Sequence, residues 1–197
     1  MASVLSVCGS PSASSRTAHL LRQLDNRLAA HGHEVTSLDI RALPPQALFH
    51  ADTRHPAIAA AVRYVAQTDG IVIATPIYKA AYSGALKTLL DLLPQHALAG
   101  KIVLPLATGG SNAYVLAIDY ALRPVLNSMG AAHIVQGRFT LDEDITVHED
   151  GSVTIEPPAA DALNHAVDQF AHTLNQGSAR ACQENGSVRI GAAKKTV

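Results

Sequence analysis

The sequence is poor in cysteine and contains no long apolar run. Its two cysteines, Cys8 and Cys182, lie far apart and match no metal-ligand spacing, which indicates a reducing compartment. No window approaches the ~18 consecutive apolar residues of a membrane helix. The first residues also lack the basic and apolar regions of a secretory signal. From these absences we expect a cytoplasmic protein that folds without a disulfide or a metal.

An excess of charge of either sign is missing as well. Fifteen basic and sixteen acidic residues leave a formal net charge of −1. Because no basic stripe is present, we expect no nucleic-acid partner. The near balance also disfavours an acidic electron carrier that docks its partners by charge. The ten histidines show no metal-binding spacing such as H-E-x-x-H, so we predict no metal site.

Short apolar segments alternate with amphipathic ones along most of the chain. Strands are predicted at residues 3–8, 34–40, 70–75, 101–107 and 133–139. Helices are predicted around residues 20–28, from residue 56 onward, and at residues 83–93, 111–129 and 161–174. The alternation predicts an α/β protein with a five-stranded parallel sheet of order 2-1-3-4-5 between two layers of helices, a flavodoxin-like three-layer sandwich.

The composition changes near the end of the chain. Residues 1–175 are predicted to form one domain, in which residues 140–157 are irregular, with a turn at Asp150-Gly151 between short extended pieces. From Gln176 onward the chain is rich in Gly, Ser, Ala and Lys. We therefore predict a mobile tail over residues 176–197.

In this sheet order, ligands bind outside the carboxyl ends of strands 1 and 3. The first loop at that edge, residues 9–17, carries Ser10, Ser15, Arg16 and Thr17 at the start of a helix, where backbone N–H groups suit a phosphate. It matches neither the usual dinucleotide fingerprint nor the P-loop, which favours the single phosphate of a mononucleotide. A serine-rich capped turn with a solvated arginine is the alternative.

Two more loops reach the same edge. In residues 76–83, backbone amides beside Ile77 and Tyr78 could meet the edge of a planar heterocycle, and an aromatic ring could cover its face. In residues 108–112, Gly109 and Gly110 allow close approach of the backbone to a ligand. Taken alone, either loop is explained equally well by an ordinary packed connection. Their convergence with the first loop favours a flavin mononucleotide.

The same loops resemble those of the NADPH-dependent FMN reductase family. The resemblance runs from about Val4 to Gly137 and is strongest in TPIYKAAYSGALKTLLDLLP (75–94) and LATGG (106–110). Within that family the sequence is most similar to the reductase component of bacterial two-component alkanesulfonate monooxygenases. The resemblance implies a flavin reductase that uses FMN and NADPH, with NADH as a possible substitute.

The resemblance also implies roles for individual residues. Ser10, Ser15, Arg16 and Thr17 would hold the FMN phosphate, and the isoalloxazine would be lined by Pro76, Ile77 and Tyr78, with Lys79 beside them. Thr108, Gly109, Gly110 and Ser111 complete the predicted cofactor-binding set, the last three near the pyrimidine edge. Many relatives carry an arginine where this chain has Ser12, so we expect one cation fewer at the phosphate and weaker flavin retention.

The expected reaction is hydride transfer from NADPH to N5 of FMN, followed by release of reduced FMN to a partner monooxygenase. The cofactors carry this chemistry, so no catalytic side chain is predicted. A quinone or azo reductase that keeps its FMN bound is one alternative. A non-catalytic flavodoxin-like electron carrier is another.

The predicted helix at residues 111–129 has two apolar stripes. One belongs to the core, while Leu116, Tyr120 and Pro124 form a second stripe turned away from it. Because Pro124 cannot donate to the carbonyl of Tyr120, we predict a kink or a wide turn there. Similar alkanesulfonate-system reductases place a tyrosine here in a π-helical turn at a subunit contact, which implies a homodimer or homotetramer with Tyr120 at its interface. An ordinary proline kink on a surface helix is the alternative.

Overall fold

A parallel β-sheet forms the centre of the computed structural model, which describes residues 1–12 and 14–191, the stretch 178–191 as backbone only. Its strands are β1 (Ser3–Cys8), β2 (Glu34–Asp39), β3 (Gly70–Tyr78), β4 (Ala81–Tyr82), β5 (Ile102–Gly109), β6 (His133–Ile134) and β7 (Arg138–Leu141). The main path runs β2-β1-β3-β5-β6, with β7 also paired to β5 and the short β4 antiparallel to β3. The predicted sheet order and fold class are confirmed.

Helices cover both faces of the sheet and enclose two apolar cores. On one face, α1 (Arg16–Ala30) and α6 (Pro157–Gly191) pack through residues such as Leu20 and Phe170. On the other face lie α2 (Pro45–Phe49), α3 (Pro56–Gln67), α4 (Gly84–Leu92) and α5 (Arg123–Ser128). Because β3 and β5 are covered on both sides, their sequences are almost continuously apolar.

The fifth strand position is interrupted, in contrast to the continuous strand predicted at 133–139. β6 begins opposite Ile102 and β7 begins opposite Leu106, so residues 135–137 stand opposite only two residues of β5. This is a β-bulge, and it faces Pro105, which has no N–H to donate to the ladder. Gly137 fits there because a Cβ would lie 2.7 Å from the Pro105 carbonyl oxygen.

The single helix predicted at 111–129 is also wrong in its first half. A 3₁₀ turn at Asn112–Tyr114 is followed by a π-helix at Ile118–Leu122 and then by α5. The Arg123 N–H donates to the Ile118 carbonyl, five residues back. Pro124 cannot supply the next regular bond, and the predicted wide turn at Tyr120 is confirmed.

The last part of the domain contains an antiparallel hairpin, β8 (Ile145–Val147) and β9 (Val153–Ile155), where short extended pieces around Asp150-Gly151 are predicted. α6 then extends well beyond residues 161–174 and runs past Gln176, where a tail is predicted to begin. Residues 192–197 lie outside the described part of the chain, and the domain boundary at residue 176 stays a prediction. Among the described helices, none combines the length and hydropathy of a transmembrane span.

Candidate functional site

A cleft opens at the carboxyl ends of β1, β3 and β5, the edge predicted to hold a ligand. Its walls come from the loop after β1, the end of β3, the end of β5 and the residue after β7. The lining residues are Ser10, Ser12, Ser14, Ser15, Arg16, Thr17, Pro76, Ile77, Tyr78, Thr108, Gly109 and Asp142. The structure thus brings together all predicted cofactor-binding residues except Lys79, Gly110 and Ser111.

The start of α1 presents unused donors to this cleft. Ser15 caps the helix, because its hydroxyl accepts the Ala18 N–H at 3.3 Å. Among the described residues, the N–H groups of Arg16 and Thr17 have no acceptor. Arg16 is exposed, and its Nε donates to the Ile145 carbonyl at 3.3 Å, while its two terminal nitrogens have no partner in the described chain. This end of the helix therefore offers several donors to an anion.

The floor of the cleft is formed by Thr17 and Thr108, whose side chains are hydrogen-bonded to each other. The hydroxyl oxygens of Thr17 and Thr108 lie 2.6 Å apart, and the two residues are 1% and 2% exposed. This bond ties the first turn of α1 to the end of β5. Because both hydroxyls are buried, each depends on the other as a partner.

Ser83 joins the first loop to the second, although the sequence did not single it out. Its hydroxyl donates to the Gly9 carbonyl and accepts the Leu86 N–H, while its backbone N–H donates to the Thr75 hydroxyl at 3.0 Å. Its position before an apolar run is typical of a helix cap. In the fold, Ser83 also links the loop after β1 to the end of β3.

A tight hairpin turn forms the rim of the cleft beside Tyr78. β3 and β4 are joined by Lys79 and Ala80 alone, and both residues have positive φ, 51° and 62°. Two positive φ values are typical of the type I′ turn that connects antiparallel strands. Lys79 occupies the turn itself and lies outside the cleft lining, with its side chain exposed. Tyr78 is 49% exposed at the rim.

The third loop approaches the cleft through Gly109. A Cβ on Gly109 would lie 3.1 Å from the ring of Phe139, so the strand ends in close contact with that aromatic side chain. Gly110 and Ser111 lie beyond the lining. The Ser111 hydroxyl accepts the Ala113 N–H at 3.2 Å and caps the following 3₁₀ turn. The ligand roles of Gly110, Ser111 and Lys79 stay predictions.

Sequence reasoning missed Asp142. This residue begins a short acidic 3₁₀ helix, Asp142–Asp144, directly after β7, and it lines the cleft together with residues of the first loop. A Cβ on Gly110 would lie 3.8 Å from its Oδ2 atom. The signal was available in principle, because Asp142 follows the fifth strand at the same sheet edge as the other loops. Residues 140–157 were instead predicted to be irregular.

A second, larger opening continues outward from the cleft. It shares Ser14, Arg16 and Asp142 with the cleft and adds Glu143 and the β8 residues that follow. His19 also lines it, with its Nδ1 atom 2.7 Å from a terminal nitrogen of Arg22. The cleft is therefore open to solvent on the side of Arg16.

Cys8 lies at the end of β1, just below the first loop. The residue is 6% exposed, and burial raises the pKa of its thiol above the ordinary value. A raised pKa keeps the sulfur protonated near neutral pH and lowers its nucleophilicity. This agrees with the prediction that Cys8 is inert. The side chain of Cys182 lies outside the described residues.

The sequence model of the NADPH-dependent FMN reductases matches residues 2–146. The chain belongs to this family. The reductase is 49% identical over 146 residues to the FMN reductase (NADPH) of Pseudomonas putida, with 74% of each chain covered. It is 42% identical to the FMN reductase (NADPH) of Escherichia coli over 174 residues. The matched region covers 88% of this chain and 90% of the relative.

Solved structures agree with this assignment. The apo form of the NADH:FMN oxidoreductase EMOB superposes with a TM-score of 0.80 at 42% identity, covering 88% of the reductase and 90% of that chain. The protein is an oxidoreductase that uses FMN and NAD(P)H. Both nicotinamide cofactors occur in the names of its relatives. The electron-carrier alternative is therefore set aside.

Proposed function

We propose that this reductase oxidises NADPH, passes the hydride to FMN that binds reversibly, and releases reduced FMN to a partner monooxygenase. The observation that carries the proposal is the charge of the cleft. Among its described lining residues, Arg16 is the one cation, and Asp142 faces the same space. The carboxylate repels a phosphate and offsets part of the attraction of Arg16, so we expect weaker binding than in a cleft lined by cations alone. Weak binding suits a flavin that must leave.

The donors of the cleft fit a flavin mononucleotide. A phosphate accepts hydrogen bonds, and the start of α1 offers two free backbone N–H groups and the terminal nitrogens of Arg16. Hydroxyls of Ser10, Ser12 and Ser15 lie on the same wall. We assign the phosphate to this wall and the flavin ring to the wall formed by Pro76, Ile77 and Gly109.

Bound FMN would supply the two-electron chemistry, by accepting a hydride at N5. The protein then has to hold the ring and leave one face open to the nicotinamide. Tyr78 at the exposed rim is placed to limit that face, and the neighbouring cation of Lys79 suits a phosphate of NADPH. Neither residue has to move a proton.

The proposal of a partner monooxygenase rests on what happens to the product, reduced FMN. Reduced FMN that dissociates must be consumed by a second protein, and an FMN-dependent monooxygenase is such a consumer. The resemblance of residues 75–94 and 106–110 to the alkanesulfonate system supports sulfur assimilation from alkanesulfonates as the setting.

The test is to follow NADPH oxidation with and without added FMN. The protein is purified, dialysed and assayed over a range of FMN concentrations. We expect a nearly colourless protein whose rate rises from background and saturates with FMN. If stoichiometric FMN survives dialysis and added FMN does not raise the rate, the proposal fails. The quinone or azo reductase would then be favoured.

We also propose that Tyr120 lies at a contact between subunits. Tyr120 is 79% exposed and Leu116 is 52% exposed, and both belong to the stripe that ends in Pro124. Tyr120 on the π-helical turn and Leu116 in the turn just before it form an exposed surface suited to a second copy of the chain. Sedimentation of the wild type should show a dimer or tetramer, and Tyr120→Asp should shift it toward monomer. A monomeric wild type at micromolar concentration would contradict this proposal.

A further inference from the structure

Asp142 is an unpaired carboxylate in a cleft built for an anion. Its side chain is half-buried, and among the described residues it has neither a hydrogen-bond donor nor a salt-bridge partner. Three of the other half-buried acids, Asp25, Asp39 and Asp168, do have partners, whereas Asp144 has none among the described residues. Asp25 accepts hydrogen bonds from the hydroxyls of Ser6 and Ser37, and Asp39 pairs with Arg41. Nothing in the described fold neutralises Asp142.

The position of Asp142 makes this charge relevant to the flavin phosphate. Asp142 lines both the cleft and the opening beyond it, and in each it shares the space with Ser14 and Arg16. Glu143 adds a second negative charge to the outer opening. Among the described lining residues of the cleft, Arg16 is the one cation that can offset the negative charges of the ligand's phosphate and of Asp142. A phosphate monoester carries about −1.5 to −2 charges at neutral pH.

A structural role for this carboxylate has little support in the contacts. Asp142 contributes its backbone carbonyl, which accepts the Ile145 N–H and closes the short 3₁₀ helix. The carboxylate is not needed for that bond. Its neighbour Asp144 has the same charge and sits in the same 3₁₀ helix, but does not line either opening.

We infer that Asp142 is an affinity-setting residue that repels the FMN phosphate and so keeps the flavin exchangeable. This inference rests on the proposed function, because it concerns the same cleft and the same ligand. No bond is made or broken in the step that Asp142 controls. Its charge raises the free energy of the bound phosphate and speeds the departure of the flavin. In this arrangement Arg16 attracts the ligand and Asp142 limits how long it stays.

The test compares Asp142→Asn with Asp144→Asn as the matched control. Both substitutions are close in shape and remove one negative charge from the same 3₁₀ helix. FMN and riboflavin are titrated against each protein by quenching of flavin fluorescence, at low and at high salt. Riboflavin has the flavin ring but no phosphate. Circular dichroism and thermal unfolding of each variant establish that the fold is kept.

We expect Asp142→Asn to bind FMN about 3- to 10-fold more tightly than the wild type at low salt, with a smaller gain at high salt, because ions screen charges in an open cleft. Riboflavin affinity should stay unchanged. Asp144→Asn should give a clearly smaller gain in FMN affinity. Ser12→Arg, which adds a cation to the first loop, serves as the positive control for tighter FMN binding.

Several outcomes would overturn the inference. Equal FMN affinity in Asp142→Asn and the wild type would mean that the carboxylate does not act on the phosphate. Weaker binding of both flavins would mean that it accepts a hydrogen bond from the flavin instead. Equal gains in FMN affinity for Asp142→Asn and Asp144→Asn would mean that only the net charge of the protein matters, and not the position of Asp142. These results are distinct from failure of the proposed function, which would show in the wild type as FMN that survives dialysis.

Discussion

The two ends of α1 each carry an arginine, and the structure uses them differently. At the first turn, Arg16 bonds only the Ile145 carbonyl among the described residues and leaves its terminal nitrogens facing the cleft. At the last turn, Arg27 is fixed by two bonds to Asp168, at 2.9 and 2.8 Å, and His31 bonds the same carboxylate at 2.9 Å. One end is open to a ligand and the other is closed by α6.

This difference follows from the partners that the fold brings to each end. Asp168 reaches Arg27 from 141 residues along the chain, because α6 packs against α1. At the other end, the acid that lines the cleft is Asp142, and no ion pair joins it to Arg16 among the described residues. An arginine with an acid partner secures the fold, whereas one whose donors are free can recognise a phosphate.

The largest expected effect comes from removing the open arginine. Arg16→Ala should lower FMN affinity about 10- to 100-fold, because a hydrogen bond to a charged group is worth roughly 1.5–3 kcal/mol. Riboflavin affinity should hardly change, and NADPH affinity should fall less than FMN affinity. The measurement is fluorescence titration of both flavins against the wild type and the variant.

Arg27→Ala is the matched control at the other end of the helix. It removes the same side chain from the same element, and neither flavin should bind it differently from the wild type. Equal losses for FMN and riboflavin in Arg16→Ala, or no loss for either, would mean that the first loop has been misinterpreted.

A smaller effect is expected at the floor beneath the open end. Thr108→Val leaves the Thr17 hydroxyl buried without its partner, which should destabilise the protein by about 1–3 kcal/mol. The double variant Thr17→Val/Thr108→Val removes both hydroxyls and should recover much of that loss. Urea unfolding of the single and double variants gives the free energies. A loss of stability in the double variant that equals or exceeds the sum of the two single losses would contradict this account of the floor.

The smallest effect is expected at the closed end. Asp168→Asn should cost about 0.2–1 kcal/mol at neutral pH, because the ion pair with Arg27 is about 40% exposed and partly screened by solvent. The hydrogen bond from Arg27 is the main reason that the pKa of Asp168 lies below its ordinary value. A lowered folded pKa contributes stability above the unfolded pKa of ~3.9, and that contribution is lost as the pH falls through the folded value.

The difference in unfolding free energy between the wild type and Asp168→Asn should therefore shrink below about pH 4. Chemical unfolding at several pH values measures it. A difference that persists undiminished at pH 2 would show that the ion pair is not its source. FMN affinity should be unaffected, which would complete the contrast between the two ends.

The sequence predicted what depends on local pattern. Continuous apolar residues predicted β3, and the hydroxyl-rich stretch before a helix predicted the open end of α1. What it could not predict depends on chain segments that meet only in the fold. The partnership of Ser83 with Gly9 spans 74 residues, and that of Arg27 with Asp168 spans 141. The interruption of the fifth strand lies opposite Pro105 in a neighbouring strand, and within residues 133–139 Gly137 is the local signal for it.

The bulge opposite Pro105 also bears on how chains of this family can change in length. A ladder continued regularly from His133 would place Arg138, rather than Phe139, beside Ala107. Since a shift of one residue exchanges the two faces of a strand, the aromatic ring would then leave Gly109. The bulge accommodates the extra residue in 135–137, and Phe139 therefore stays in contact with Gly109 at the wall of the cleft. A relative with one residue fewer between Ile134 and Arg138 would pair with β5 without a bulge. Its residue equivalent to Phe139 would still lie beside Ala107, so the loss of that residue would leave the cleft unchanged.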